Sequence, residues 1–95
     1  MIKEFRINVS EEQISNIYNK VKNYPWQSIE DMEGWIHGTN KKYLKEICKY
    51  WISEFDWKKH EELINSFSNF KTNIEGIDIH FIKEEGSGKY PRPLL

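Results

Sequence analysis

Residues 69–83 read NFKTNIEGIDIHFIK, and this stretch decides the fold of the last third of the chain. Phe70, Thr72 and Ile74 alternate with polar residues, and a second alternation begins at Ile77. Between the two runs stands Glu75-Gly76, a two-residue turn in which glycine supplies the positive φ that other residues resist. A period of two on both sides of such a turn predicts a β-hairpin over residues 69–83.

Upstream of the hairpin, the apolar residues follow a helical period instead. Ser10 and Gln13 have the spacing of a capping box, and Val9 with Ile14 occupy the two positions of a hydrophobic staple. Pro25 ends this first helix because it lacks an N–H donor and restricts the residue before it. The pattern predicts three amphipathic helices, at residues 10–24, 39–55 and 56–67, the second of them capped by Thr39.

Two short segments flank these elements. Residues 1–9 alternate apolar and polar side chains over Phe5 to Val9, which predicts an extended arm. Residues 91–95 have the pattern of an apolar strand that has only begun, and we expect this strand to be truncated. The predicted fold class is therefore an α+β fragment: an extended arm, three amphipathic helices and a β-hairpin.

Composition excludes several classes of protein. The chain has 95 residues, which allows one domain, and its 15% aromatic content exceeds that of disordered chains. The net charge of -1 lacks the excess of positive charge that is typical of nucleic-acid-binding proteins, so we expect no nucleic-acid partner. Cys48 is the only cysteine, which excludes an intramolecular disulfide, and no apolar run is long enough to span a membrane. These features favour a cytoplasmic protein that has no membrane partner.

No residue pattern in the chain is typical of a catalytic or ligand-binding site. The histidines His37, His60 and His80 lie in different predicted elements, without metal-ligand spacing, so structural roles are favoured. Gly86-Ser87-Gly88-Lys89 follows a predicted strand, but Tyr90 stands where a phosphate loop needs a serine or threonine, whose hydroxyl binds magnesium. We therefore predict no catalytic, cofactor-binding or metal-binding residue, and no cofactor.

Several aromatic blocks, in order along the whole chain, carry a family resemblance. They include Gly34-Trp35, Tyr50-Trp51, Phe55-Asp56-Trp57-Lys58-Lys59 and Ile79-His80-Phe81-Ile82. Together they resemble the N-terminal region of the microsomal-type epoxide hydrolases, which precedes the α/β-hydrolase domain of those enzymes. Two positions depart from the family pattern: Tyr24-Pro25-Trp26 replaces an Arg-Trp-Pro sequence, and Ser68 replaces a proline. Both are packing positions, so the departures concern local geometry.

The resemblance implies an enzyme that opens epoxides to vicinal diols. In that family an Asp carboxylate forms an alkyl-enzyme ester, a His with an acidic partner activates water, and two lid tyrosines bind the epoxide oxygen. A His-Gly-Trp-Pro turn that supplies oxyanion donors is expected shortly after Leu94-Leu95. None of these groups matches a residue of this chain, which we therefore expect to be inactive alone.

The family role of this region is to wrap the hydrolase core and brace the lid, with the hairpin forming the first strands of the α/β-hydrolase sheet. The expected partner is thus the remainder of the core and lid. A homo-oligomer through the exposed strand edge or the aromatic surface is also expected. Detoxification and hormone breakdown are both open as the context of the parent enzyme. The alternative is a free-standing module that uses the aromatic helical surface to bind another protein.

Overall fold

A computed structural model describes residues 1–94 of the chain. Three helices and a three-stranded antiparallel sheet account for its regular structure, with a short 3₁₀ turn at Trp26–Ser28 between the first two helices. The elements run in the order β1 (Lys3–Glu4), α1 (Glu11–Lys22), α2 (Lys41–Ser53), α3 (Trp57–Asn65), β2 (Asn69–Ile74) and β3 (Ile77–Ile82). The expected α+β class, with three helices followed by a hairpin, is confirmed.

The chain divides into two compact units. The helical unit is Val9–Trp57, which contains α1 and α2. The sheet unit consists of Met1–Asn8 together with the chain from Lys58 onward, so it contains all three strands and nearly all of α3.

Helix α1 begins with the capping box that the sequence predicts. The Ser10 hydroxyl accepts from the Gln13 N–H at 3.2 Å, and the Gln13 side chain accepts from the Ser10 N–H at 3.4 Å. Acidic Glu11 and Glu12 lie in the first turn, while Lys20 and Lys22 lie in the last. Both charge signs match the helix dipole, which adds to the stability of α1.

Helix α2 begins one residue later than predicted, because Asn40 is its N-cap in place of Thr39. The Asn40 Oδ1 accepts from the Tyr43 N–H at 3.1 Å, and the Asn40 Nδ2 donates to the Gly34 carbonyl at 3.2 Å. An amide can cap the helix and hold the preceding loop at the same time. These two contacts place the N-cap at Asn40 rather than at Thr39.

The hairpin turns at Glu75-Gly76, as predicted. Ile74 pairs with Ile77 across a two-residue loop, in which Glu75 has φ 50 and Gly76 has φ 84. Positive φ at both central positions is the signature of a type I′ turn, whose twist matches that of the flanking strands. The Asn73 side chain stabilises the turn by accepting from the Gly76 N–H at 3.0 Å.

The arm forms more regular structure than the sequence predicts, and the tail forms less. Within the arm, Lys3–Glu4 pairs antiparallel with Lys71 and Phe70, so β1 becomes one edge of the sheet. The strand predicted at 91–95 is not formed over residues 91–94, and Leu95 lies outside the described residues. Pro91 and Pro93 lack an N–H, and no strand pairs with this segment in residues 1–94, so no ladder holds it extended.

No apolar side chain in residues 1–94 is buried. The buried residues there are polar, Glu61 at 7% exposure and Asn69 at 4%. Meanwhile large side chains such as Trp35, at 57% exposed, and Trp51, at 38%, keep much of their surface in water. The aromatic residues thus form surfaces rather than an enclosed core.

Candidate interaction surfaces

Within residues 1–94, one face of the hairpin is mainly apolar and largely exposed. We call it the apolar sheet face: it consists of the cross-strand pairs Phe70 with Phe81, Thr72 with Ile79 and Ile74 with Ile77. The rings of Phe70 and Phe81 stack with their centroids 5.6 Å apart, whereas Ile77 is 65% exposed. A sheet with one apolar face is stable when a second layer of protein packs on that face. We therefore infer that the apolar sheet face is an interaction surface.

In the described part of the chain, no strand pairs with the outer edge of β3. Strand β3 stands at the end of the sheet order, and the Lys83 N–H donates inward to the Ser68 carbonyl at 3.0 Å. Because amides alternate in an antiparallel ladder, those of Asp78, His80 and Ile82 then point away from β2. A row of outward amides and carbonyls is a template for pairing with a further strand.

On the opposite face of the sheet, the buried side-chain amide of Asn69 links the hairpin to the residues before it and to His80. The Asn69 Nδ2 donates to the carbonyls of Ile64, at 2.7 Å, and Phe67, at 2.9 Å. Its Oδ1 lies 2.8 Å from the His80 Nε2, and the His80 ring meets Phe5 edge-on at 5.2 Å. The predicted structural role of His80 therefore has a geometric basis. The sequence did not single out Asn69, although a polar residue at the start of the hairpin, just after a helix, is a usable signal.

The helical unit carries an apolar groove between α1 and α2. Seven apolar and aromatic side chains line a cavity of about 190 Å³: Val9, Ile14, Ile17, Tyr18, Trp51, Phe55 and Trp57. On its wall, the Tyr18 hydroxyl donates to the Phe55 carbonyl at 2.8 Å. The groove thus offers packing surface rather than groups for acid–base chemistry. Val9 and Ile14 line it together, as the staple pattern predicts.

The other residues considered for chemistry lie apart from one another in the sequence. His37 is in an exposed loop before α2, His60 is on α3, and His80 is on β3. Cys48 is half-buried on α2. In residues 1–94 no three His, Cys, Asp or Glu side chains come together as a metal-binding group would require.

The segment around Gly86 is an exposed loop, and no helix follows it up to residue 94. Beside it, the Lys83 Nζ lies 2.8 Å from the Glu85 carboxylate. This hydrogen bond, and then the opposite charge of the partner, raises the pKa of Lys83 and lowers the pKa of Glu85. Both side chains are exposed, so the pair is a surface contact rather than a site.

Among the described residues, no helix has the length and the apolar character that crossing a membrane requires.

Comparison with known proteins gives a consistent result. Residues 2–95 match the family model described as "Epoxide hydrolase N terminus". The chain is 39% identical over 98 residues to epoxide hydrolase 1 of Oryctolagus cuniculus, which covers 99% of this chain and 22% of that protein. It is 34% identical to the juvenile hormone epoxide hydrolase of Manduca sexta, covering 99% of this chain and 21% of that enzyme.

Solved structures agree with the sequence relatives. The crystal structure of juvenile hormone epoxide hydrolase from Bombyx mori matches with a TM-score of 0.76 and 30% identity, over 86% of this chain and 20% of that one. The Aspergillus niger epoxide hydrolase matches with a TM-score of 0.72 and 28% identity, over 86% and 22% of the two chains. The chain therefore spans about a fifth of the length of these relatives. The alternative of a free-standing interaction module finds no support among them.

Proposed function

Because the chain belongs to the epoxide hydrolase family as the N-terminal region of such an enzyme, we propose that it covers and braces an α/β-hydrolase body that converts epoxides to vicinal diols. In this proposal the body supplies the carboxylate nucleophile, the base that activates water and the lid. The chain supplies packing surface, and its hairpin extends the central sheet.

The observation that carries the proposal is the apolar sheet face. Ile74, Ile77 and Ile79 are 57%, 65% and 40% exposed, on a face where Phe70 and Phe81 already stack on one another. Covering a side chain of this kind removes apolar area from water, at about 25 cal/mol per Å². A second layer of the hydrolase body is the natural cover, and the open β3 edge supports continuation of the sheet.

Complementation tests the proposal. The hydrolase body of the Bombyx mori enzyme, without the fifth of its chain that this region matches, is co-expressed with the 95-residue chain, and diol formation from styrene oxide is measured. We expect no diol from the chain alone and recovered activity from the pair. Activity that returns without a complex between the two proteins, or that does not depend on the chain, would contradict the proposal.

A matched pair of variants locates the contact. Ile79→Asp places a charge on the apolar sheet face, where burial of an unpaired carboxylate is costly. Ile82→Asp makes the same substitution on the same strand, but Ile82 pairs with Asn69 and so lies on the opposite face. We expect Ile79→Asp to abolish complementation and Ile82→Asp to retain most of it. Equal losses would place the contact elsewhere.

We also propose that the isolated chain associates with a second copy through the β3 edge or the apolar sheet face. The unpaired amides of β3 and the exposed isoleucines support this, since an open edge and an apolar patch are both prone to self-pairing. Sedimentation at increasing concentration tests it: we expect a shift from monomer to dimer or larger species, and a single monomeric species at all concentrations would contradict it.

The location that we propose for the enzyme is the cytoplasm. The free, half-buried thiol of Cys48 suits a reducing compartment. Fractionation of cells that express the native gene tests this, because recovery in the membrane fraction would overturn it.

A further inference from the structure

A second cavity of the helical unit is lined by cations. Its volume is about 570 Å³, within the range of small-molecule sites. Five lysine side chains line it: Lys22, Lys41, Lys42, Lys45 and Lys49. The acidic side chains on its wall are Asp31 and Glu46. The lining therefore carries an excess of three positive charges.

This charge is segregated from the rest of the unit. Residues Val9–Trp57 contain six lysines and eight acidic residues, so the unit as a whole is net negative. Five of the six lysines nevertheless face this one cavity, with only two of the eight acids. Like charges that line one cavity repel one another, and an anion in the cavity offsets that repulsion.

The helix geometry explains how the lysines converge. Lys41, Lys45 and Lys49 follow at intervals of four along α2 and so share one face of it. Lys22 is the last residue of α1. The Lys41 Nζ is held in place because it donates to the Ile29 carbonyl at 2.8 Å. Lys42, Lys45 and Lys49 are exposed, so their ammonium groups can move to meet a bound anion.

The rest of the lining is apolar. Val21, Trp26, Cys48 and Ile52 contribute to the wall, and Trp26 makes an edge contact with Tyr24, whose ring centroid lies 4.8 Å away. An apolar wall with an ammonium rim suits a ligand that has both an anionic head and an apolar tail. Long lysine side chains add to this match, because their methylene stems lie along apolar surface while the charge stays in water.

We propose that this cavity binds a small amphipathic anion, a carboxylate with an apolar tail. The head lies among Lys42, Lys45 and Lys49, and the tail lies against Trp26 and Ile52. This site stands on the charges and shape of the helical unit alone, independently of the covering role of the sheet unit.

Decanoate is the probe for the proposal, with neutral decanol as the matched ligand. Both are titrated, below the concentration at which they form micelles, into the ¹⁵N-labelled 95-residue chain, and amide shifts are followed. We expect saturable shifts at α2 and around Trp26 with decanoate, weakened by added salt. Decanol should bind at least about tenfold more weakly, as expected for the loss of two or three exposed ion pairs.

Charge-removing variants complete the test. Lys45→Gln with Lys49→Gln keeps helix propensity and removes two of the lining charges, so decanoate affinity should fall about tenfold. Lys20→Gln with Lys89→Gln removes the same charge from residues outside the lining and should leave affinity within about twofold. The amide spectrum of each variant without ligand reports whether the fold is kept. Equal binding of decanol, equal losses in both double variants, or shifts confined to other residues would each overturn the proposal.

Discussion

The side-chain amide of Asn65 makes both of its strong hydrogen bonds to the backbone of Ile7. The Ile7 N–H donates to the Asn65 Oδ1 at 2.8 Å, and the Asn65 Nδ2 donates to the Ile7 carbonyl at 2.7 Å. The last residue of α3 thereby pairs with the arm as a neighbouring strand would. Beyond the short ladder of β1, this contact holds the arm in the sheet unit.

Replacing Asn65 should release the arm. Asn65→Ala removes both bonds and leaves two half-buried backbone groups unpaired, at a cost of about 1–3 kcal/mol in the free energy of unfolding. Asn65→Asp keeps the acceptor for the Ile7 N–H but sets a carboxylate against the Ile7 carbonyl, so it should also destabilise. Denaturant unfolding and hydrogen exchange at the Ile7 amide measure both effects.

The exposed Asn8 provides the control, since Asn8→Ala should change stability by less than about 0.5 kcal/mol. If the Ile7 amide exchanged at the same rate in Asn65→Ala and in the unmodified chain, the Asn65 side chain would not hold the arm as we infer.

The Asn69 contacts predict the tautomer of His80. Because the Asn69 Nδ2 already donates to two carbonyls, its Oδ1 must accept from the His80 Nε2. The neutral ring should therefore carry its proton on Nε2, which imidazole ¹⁵N shifts at alkaline pH report. In Asn69→Ala we expect a mixture of tautomers. A proton on Nδ1 in the unmodified chain would show that the amide is oriented the other way.

The turn at Glu75-Gly76 can be improved. Glu75 holds φ 50, a conformation that asparagine tolerates better than glutamate does. Glu75→Asn should therefore stabilise the chain by about 0.5–1 kcal/mol, while Glu75→Val, with a branched Cβ, should destabilise it. Unfolding midpoints of the two variants measure this, and a stabilising valine would exclude the type I′ turn.

The pair of Lys83 and Glu85 predicts a pH dependence with a definite sign. Since the pKa of Glu85 is lowered from its ordinary 4.5, the contact stabilises the folded chain above that pH and is lost as the pH falls through the lowered value. The raised pKa of Lys83 means that the contact also weakens as the pH rises through that raised value.

Side-chain NMR titration of Glu85 checks this dependence. Lys83→Ala should return the pKa of Glu85 to its ordinary range, whereas Lys89→Ala should leave it lowered. A Glu85 titration unaffected by Lys83→Ala would mean that the pair does not form in solution.

Local sequence signals predicted the elements whose cause is local. The capping box of Ser10 and Gln13, and the hairpin turn at Glu75-Gly76, depend on residues within a few positions of one another. The choice of Asn40 over Thr39 as the cap of α2 depended on a longer contact, to the Gly34 carbonyl. That carbonyl comes within reach only once the loop is folded.

Local sequence patterns did not predict the contacts between residues that lie far apart in the chain. The pairing of Lys3 with Lys71, and of Asn65 with Ile7, joins positions 68 and 58 residues apart. Nothing in the alternation of the arm says which strand it meets. The convergence of lysines from α1 and α2 on one cavity is likewise a product of packing, although the four-residue spacing of Lys41, Lys45 and Lys49 is visible in the sequence.

The covering role itself is tested most directly by hydrogen exchange at the outer edge of β3. The amides of Asp78, His80 and Ile82 point away from β2, so they should exchange rapidly in the 95-residue chain at concentrations where it is monomeric. When the hydrolase body of the Bombyx mori enzyme is added, we expect these three amides to slow by at least about a hundredfold as a further strand pairs with them. Exchange that stays rapid in a complex with restored activity would contradict the claim that the hairpin extends the sheet of the hydrolase.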